Sequence, residues 1–144
     1  IVEVNSDMRS LLVVVPGPRG AKLSRGFSFD ACLDPSTRQE DVFSKIGVHQ
    51  LLQAALVGYS CTIFAYGQTG SGKTYTMSGV EDVLDCERYS GDATDGLITR
   101  SLLYLFDAVR SASGGGQQHQ YTLRASYAEI YNEQAYDLLE RPGS

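Results

Sequence analysis

The first part of the chain is patterned as short strands separated by turns. Residues 1–4, which are apolar except for Glu3, and the apolar residues 11–15 flank the polar residues 5–7, which predicts a β-hairpin. Residues 16–20 contain two prolines and two glycines and interrupt this pattern. Residues 26–30 then alternate aromatic and small side chains, which is typical of another short strand.

A helical period follows these strands. One apolar face is formed at helical spacing by Val48, Leu51, Leu52 and Ala55. Thr37 and Glu40 have the spacing of a capping box, which predicts Thr37 as the N-cap. Gly58 suits the C-terminal end of the helix. We therefore expect one helix between Thr37 and Gly58.

The remaining pattern alternates strands and helices. Residues 61–66 are apolar at nearly every position, which is typical of a parallel strand buried on both faces. Residues 78–95 are acidic and predict an exposed loop, and residues 121–127 alternate as a strand does. Residues 132–139 are expected to form a closing turn of helix. This order favours an α/β domain with a central sheet.

Residues 102–107 allow two interpretations, because five apolar residues precede Asp107. As a strand, they would be a Walker-B-like element that places Asp107 on a metal ion. The helical interpretation is favoured, since one face is kept over more residues than strands usually contain. That face consists of Ile98, Leu102, Phe106 and Val109. Asp107 is then a surface carboxylate.

Composition and charge narrow the function classes. The 144 residues fit one domain or part of one, and the net charge of −5 does not suit a dedicated nucleic-acid binder. No apolar run is long enough for a membrane span, so we expect no membrane insertion. The three cysteines lack metal-ligand spacing and are interpreted as reduced thiols. Because the chain begins at Ile1, we expect it to be a fragment of a longer protein.

One motif in the sequence indicates a ligand-binding site. It satisfies G-x-x-x-x-G-K-[ST] in full and consists of Gly67, Gln68, Thr69, Gly70, Ser71, Gly72, Lys73 and Thr74. Backbone N–H groups of such a loop surround triphosphate oxygens, and glycine permits the close approach. Lys73 is expected to contact the terminal phosphates, and the Thr74 hydroxyl to bind Mg²⁺. The loop directly follows a predicted buried strand, as this chemistry requires. The sequence therefore predicts a nucleoside triphosphate site.

Several longer motifs resemble the kinesin motor domain. They are F-S-F-D at residues 27–30, the run from Tyr59 through the phosphate loop to Met77, G-L-I-T-R at residues 96–100, and S-Y-A-E-I-Y-N-E at residues 126–133. They occur in the order of that family and span most of the chain. The resemblance implies a partial P-loop NTPase fold of kinesin-motor type. Such a fold is α/β, with a central mixed β-sheet flanked by helices, and would be incomplete at both ends of residues 1–144.

The resemblance also implies roles and partners. Tyr75 matches the position whose ring packs on adenine, which makes ATP with Mg²⁺ the expected ligand. The implied function is the ATP-binding part of a microtubule motor in the cytoplasm and cytoskeleton, with tubulin as partner and the oligomeric state left open. The family's nucleotide-sensing motifs, N-x-x-S-S-R-S-H and D-L-A-G-S-E, are absent from the 144 residues. We therefore expect this segment alone to be inactive as an ATPase. The alternative is a truncated, catalytically inactive nucleotide-binding or interaction module.

Overall fold

The computed structural model of the chain describes residues 2–5, 9–80, 93–113 and 121–139. In chain order its strands and helices are β1 (Val2–Val4), β2 (Ser10–Pro16), β3 (Lys22–Ser28), α1 (Gln39–Lys45), α2 (Val48–Leu56), α3 (Lys73–Met77), α4 (Leu97–Ser113), β4 (Ala128–Tyr131) and β5 (Gln134–Asp137). The chain divides into two compact units, Ile1–Ala108 and Val109–Ser144. None of the helices in the described ranges is long and apolar enough to cross a membrane.

Strands β1, β2 and β3 form an antiparallel sheet in that order. The predicted hairpin is confirmed, with Val2 opposite Val13. The third strand starts at Lys22, four residues before its predicted start, because a single 3₁₀ turn at Pro18–Gly20 is enough to reverse the chain. Within that turn Arg19 and Gly20 both have positive φ, 57° and 82°.

The single helix predicted between Thr37 and Gly58 is wrong in its start and in its continuity. The N-cap is Arg38, and no side chain makes a capping hydrogen bond there. Glu40 instead pairs with the Arg38 guanidinium, 2.7 Å away, so the capping box does not form. Gly47 has a left-handed φ of 76° and separates α1 from α2. A glycine reaches this conformation without steric cost, which explains why the break falls there.

A small apolar core joins α2 and α4. Val48, Leu52 and Leu97 are buried, with 3%, 8% and 2% of their surface exposed. Partly buried apolar residues packed against them are Val42, Phe43, Ile63, Met77, Tyr104 and Leu105. Met77 brings the end of α3 into this core, so the helix that follows the glycine-rich loop is anchored by its last residue.

Helix α4 confirms the helical interpretation of residues 102–107, and Asp107 is exposed on it. The apolar face predicted from its periodicity is not the side that packs in the core, however, since Leu102 and Phe106 are 47% and 51% exposed. Leu97 is the buried residue instead. Apolar side chains occupy most of the circumference of α4, so periodicity alone could not select the side that faces the core.

Residues 61–66 are not paired into a strand, which contradicts the predicted buried strand. Phe64 and Tyr66 are 81% and 88% exposed, and their rings stack on each other with centroids 6.4 Å apart. A strand needs neighbours that supply hydrogen bonds along its edges, and none of the described strands pairs with this segment. The described strands accordingly form two antiparallel sheets, and the expected central mixed sheet is not among them.

In the second unit, β4 and β5 form an antiparallel hairpin. Asn132 and Glu133 connect the strands with positive φ angles of 50° and 61°. Two such residues make the two-residue turn that matches the twist of a hairpin, and asparagine favours it. The predicted helical turn at residues 132–139 is therefore wrong. The strand predicted at residues 121–127 is also wrong, because these residues precede β4 and have no regular secondary structure. The acidic residues 81–92 and the glycine-rich residues 114–120 lie outside the described part of the chain.

Candidate functional site

The glycine-rich loop connects residues 61–66 to helix α3. Gly70 and Gly72 have left-handed φ angles of 77° and 91°, and Gly72 is the N-cap of α3. A turn within the loop is closed by the Ser71 N–H, which donates to the Gln68 carbonyl at 3.1 Å. Residues that carry a side chain rarely adopt these two φ angles. The motif therefore places glycine where the backbone conformation requires it.

The Lys73 side chain folds back across the loop. Its Nζ donates to the carbonyl oxygens of Gly67 and Gln68, both at 2.8 Å. The side chain is half-buried, so the ammonium is held beside the loop backbone. A positive charge is thereby concentrated at the glycine-rich loop, where an anionic ligand could meet both the ammonium and backbone N–H groups.

The loop is crowded at one end and open at the other. A Cβ added to Gly67 would collide with the Ser71 hydroxyl. A Cβ added to Gly70 or Gly72 would meet no atom within 4 Å outside the neighbouring residues. This open space, together with the lysine charge, suits phosphate oxygens, and the donor set therefore fits the expected nucleotide.

Thr74 and Tyr75 lie on α3 directly after the lysine. The Thr74 side chain is exposed, and the Tyr75 side chain is 55% exposed. Both are therefore accessible from solvent. All nine residues predicted for the site, residues 67–75, lie together in one loop and the first turn of one helix.

Sequence reasoning missed Gln39 as part of this site. Gln39 is buried, with 3% of its surface exposed, and its Nε2 donates to the Tyr75 carbonyl at 2.6 Å. The sequence offered little signal for it, since a glutamine that opens a helix is usually solvated. Its burial depends on a contact between residues 36 positions apart.

A second missed feature is a close crossing of two glycines behind α3. Gly79 forms a β-bridge with Asp95, and the Gly96 N–H donates to the Ser78 carbonyl at 3.2 Å. A Cβ on Gly96 would lie 2.5 Å from the nitrogen of Gly79. Only glycine fits at this crossing, which ties the end of α3 to the start of α4. The sequence does contain a signal for this crossing, since Gly79 and Gly96 flank the acidic segment.

The other candidate groups do not assemble into a second site in the described residues. No group of three or more His, Cys, Asp or Glu side chains there could hold a metal ion. Ser36 donates from its hydroxyl and its backbone N–H to the Asp34 carboxylate, and these bonds lower the pKa of Asp34 below its ordinary value. Asp34 is exposed and lies before α1, so this is local turn chemistry.

Known proteins resemble this chain over nearly its whole length. A sequence model described as the kinesin motor domain matches residues 15–144. Kinesin-like protein Klp61F of Drosophila melanogaster is 43% identical over 141 residues, which cover 92% of this chain and 13% of that protein. Kinesin-like protein KIFC1 of Cricetulus griseus is 44% identical over 136 residues, covering 94% of this chain and 20% of that protein.

Solved structures give the same result. The C-terminal motor domain of Kar3 from Candida glabrata aligns with a TM-score of 0.62 and 28% identity, covering 95% of this chain and 40% of that one. A crystal structure of a mutant of the kinesin motor ATPase aligns with a TM-score of 0.65 and 29% identity. The chain thus spans two fifths of the solved motor chains and a fifth or less of the curated relatives. The expected α/β class is confirmed, and the chain belongs to the kinesin motor domain family.

Proposed function

We propose that residues 67–75 bind ATP with Mg²⁺, and that the chain is the ATP-binding part of a kinesin-like motor. Such a motor couples ATP hydrolysis to movement along microtubules. The observation that carries the proposal is the Lys73 ammonium, held 2.8 Å from two loop carbonyls beside glycines in left-handed conformations. Membership of the kinesin motor domain family supports the choice of ATP over other triphosphates.

Each residue of the site has a proposed part in binding. The ammonium of Lys73 neutralises the terminal phosphates, and the N–H groups of the glycine-rich loop donate to their oxygens. The hydroxyl of Thr74 offers an oxygen ligand to Mg²⁺, which prefers such ligands. The ring of Tyr75 offers an aromatic face to the adenine. Bound Mg²⁺ supplies charge neutralisation across the phosphates.

Hydrolysis and microtubule binding are proposed for the longer motor chain. The described residues contain no cluster of acidic or histidine ligands, and Asp107 lies on a helix. The net charge of −5 gives this chain no electrostatic match to an acidic microtubule surface. We therefore assign the contacts with tubulin to parts of the motor that have no counterpart in this chain. Those contacts would place the motor on the cytoskeleton in the cytoplasm.

The absence of turnover in this chain can be tested directly. We expect the purified 144-residue chain to release no phosphate from Mg-ATP above the rate of a boiled sample, because a phosphate-binding loop alone does not orient the attacking water. Steady-state phosphate release that is lost in Asp107→Ala would contradict this, and would restore the metal-side role of Asp107.

Substitution of Lys73 tests the binding site itself. Lys73→Ala should weaken Mg-ATP binding at least about tenfold, since a hydrogen bond to a charged group contributes about 1.5–3 kcal/mol. Lys45→Ala is the matched control, because Lys45 is exposed at the end of α1. The measurement is displacement of a fluorescent ATP analogue from the chain. Equal affinities for the two variants would reject the phosphate role of Lys73.

Substitution of Thr74 tests the Mg²⁺ role. Thr74→Val keeps the branched shape and removes the hydroxyl, so ATP affinity should respond less to added Mg²⁺ than in the unaltered chain. Thr62→Val serves as control, since Thr62 is exposed and lies outside the loop. The affinity for ATP is measured across a Mg²⁺ titration. A titration curve that coincides with that of the unaltered chain would remove Thr74 from the metal site.

A further inference from the structure

Gln39 is a buried polar residue whose side chain bonds to a residue far away in the sequence. It opens helix α1, and only 3% of its surface is exposed. Burial of an amide is costly unless its N–H groups find acceptors. Gln39 meets this need through Nε2, which donates to the backbone carbonyl of Tyr75 at 2.6 Å.

Helix α3 needs such support from outside. It contains five residues, Lys73–Met77, and isolated helices of this length are unstable in water. The last carbonyls of a helix also lack partners within it. The Tyr75 carbonyl accepts from the backbone N–H groups of Ser78 and Gly79, the latter at 2.9 Å, and from the Gln39 amide at 2.6 Å. The backbone of Tyr75 is therefore fixed from two sides.

The side chain of Tyr75 contrasts with its backbone. Its carbonyl is bound to a buried amide, whereas 55% of the residue surface is exposed. The backbone fixes the Cα–Cβ bond of Tyr75 and thereby limits the directions that the ring can take from α3. A ring held in one direction stacks on a flat ligand with less loss of conformational entropy than a ring on a mobile backbone.

We propose that Gln39 is a positioning residue for the base of the nucleotide. Its amide fixes the Tyr75 carbonyl and thereby orients the Tyr75 ring towards an adenine bound beside the loop. This role rests on the proposed nucleotide function and adds to it a residue that contacts no ligand. It concerns the base, because the Lys73 ammonium proposed for the phosphates is held by its own bonds to the carbonyls of Gly67 and Gln68.

Two ligands separate this role from a general effect on folding. Mg-ATP carries a base, whereas Mg-tripolyphosphate has a similar phosphate chain without one. In Gln39→Met, which keeps the length of the side chain and removes the donor, the dissociation constant of Mg-ATP should rise roughly two- to tenfold, the effect of one hydrogen bond. That of Mg-tripolyphosphate should stay within about twofold of the unaltered chain. Gln53→Met on the exposed surface of α2 is the control.

Coupling to Tyr75 provides the decisive readout. In a Tyr75→Ala background, Gln39→Met should change Mg-ATP binding by less than about twofold, because the ring it orients is gone. Equal weakening of both ligands by Gln39→Met, or a full additional loss in the Tyr75→Ala background, would overturn the proposal. If Gln39→Met loses its cooperative thermal melt, Gln39→Leu, which is also neutral and lacks the donor, provides the same comparison. An unaltered chain that binds neither ligand would instead reject the nucleotide function itself.

Discussion

Two segments that meet at Gly67 behave in opposite ways. Residues 67–79, the loop and helix α3, are held by hydrogen bonds to Lys73 and Gln39 and by the glycine crossing with Gly96. Residues 61–66 are more apolar, yet they expose Phe64 and Tyr66 at 81% and 88%. Apolar composition is therefore not what orders this region. The difference lies in where the partners of each segment come from.

The partners of residues 67–79, whether near in the sequence or distant like Gln39 and Gly96, all lie among the described residues. Lys73 binds carbonyls five and six residues before it. A strand buried on both faces instead requires a neighbouring strand at each edge and a covering layer on each side. The chain covers 40% of the solved motor chains that it resembles, so we propose that the partners of residues 61–66 lie in the part with no counterpart here.

The largest expected effect concerns the core that anchors α3. Leu97→Ala should lower the free energy of unfolding by about 2–5 kcal/mol, because Leu97 is buried and its truncation leaves a cavity. Leu102→Ala, the same change on the exposed side of α4, should cost well under half as much. Urea unfolding of both variants provides the comparison. A larger loss in Leu102→Ala would restore the face of α4 predicted from periodicity.

The glycine crossing should give the next largest effect. Gly79→Ala would place a Cβ against the carbonyl of Thr94 at a φ of +93°. Gly58→Ala has a similar φ of +103° but open space around the added Cβ. The first variant should therefore be less stable than the second by about 1–3 kcal/mol, the usual cost of overpacking. Equal midpoints in urea for the two variants would show that α3 and α4 are not tied at this point.

Substitution in the exposed segment should affect association rather than stability. Phe64→Ser should change the free energy of unfolding by no more than about 0.5 kcal/mol, because exposed positions rarely contribute more. It should reduce light scattering of the chain, since an unpaired apolar segment invites pairing with other chains. Val57→Ser, at the end of α2, is a control with 75% exposure. A destabilisation by several kcal/mol would mean that Phe64 is packed.

The smallest effect concerns the pKa of Asp34. The Ser36 hydroxyl and backbone N–H hold this pKa below its ordinary value, so the bonds stabilise the fold above the unfolded-state pKa. That contribution disappears as the pH falls through the lowered pKa. Ser36→Ala should thus cost slightly more stability at neutral pH than in strong acid, as measured by urea unfolding across the acid range. Ser60→Ala is the control, and a cost that grows towards low pH would contradict the assignment.

The sequence predicted best what depends on near neighbours. Gly70, Gly72 and Lys73 occupy the positions that the loop motif requires, and the first hairpin pairs as its alternation predicts. Two predictions failed because the choice depended on distant partners, whereas the capping box at Thr37 and the continuous helix across Gly47 failed for local reasons. The buried side of α4 is selected by its contact with α2, and the burial of Gln39 by its bond to Tyr75. The hairpin at Asn132 was missed for another reason, because its turn chemistry was overlooked.

Calorimetric titration of Mg-ATP into the 144-residue chain tests the central claim most directly. The claim is that residues 67–75, supported by Gln39 and the glycine crossing, form a nucleotide site while residues 61–66 remain unpaired. It predicts saturable binding of one nucleotide per chain and a higher melting temperature, with a gain of about 2.7 kcal/mol at a hundredfold excess over the dissociation constant. A monomeric, cooperatively melting chain that shows neither saturable heat nor a shift in melting temperature would contradict the claim.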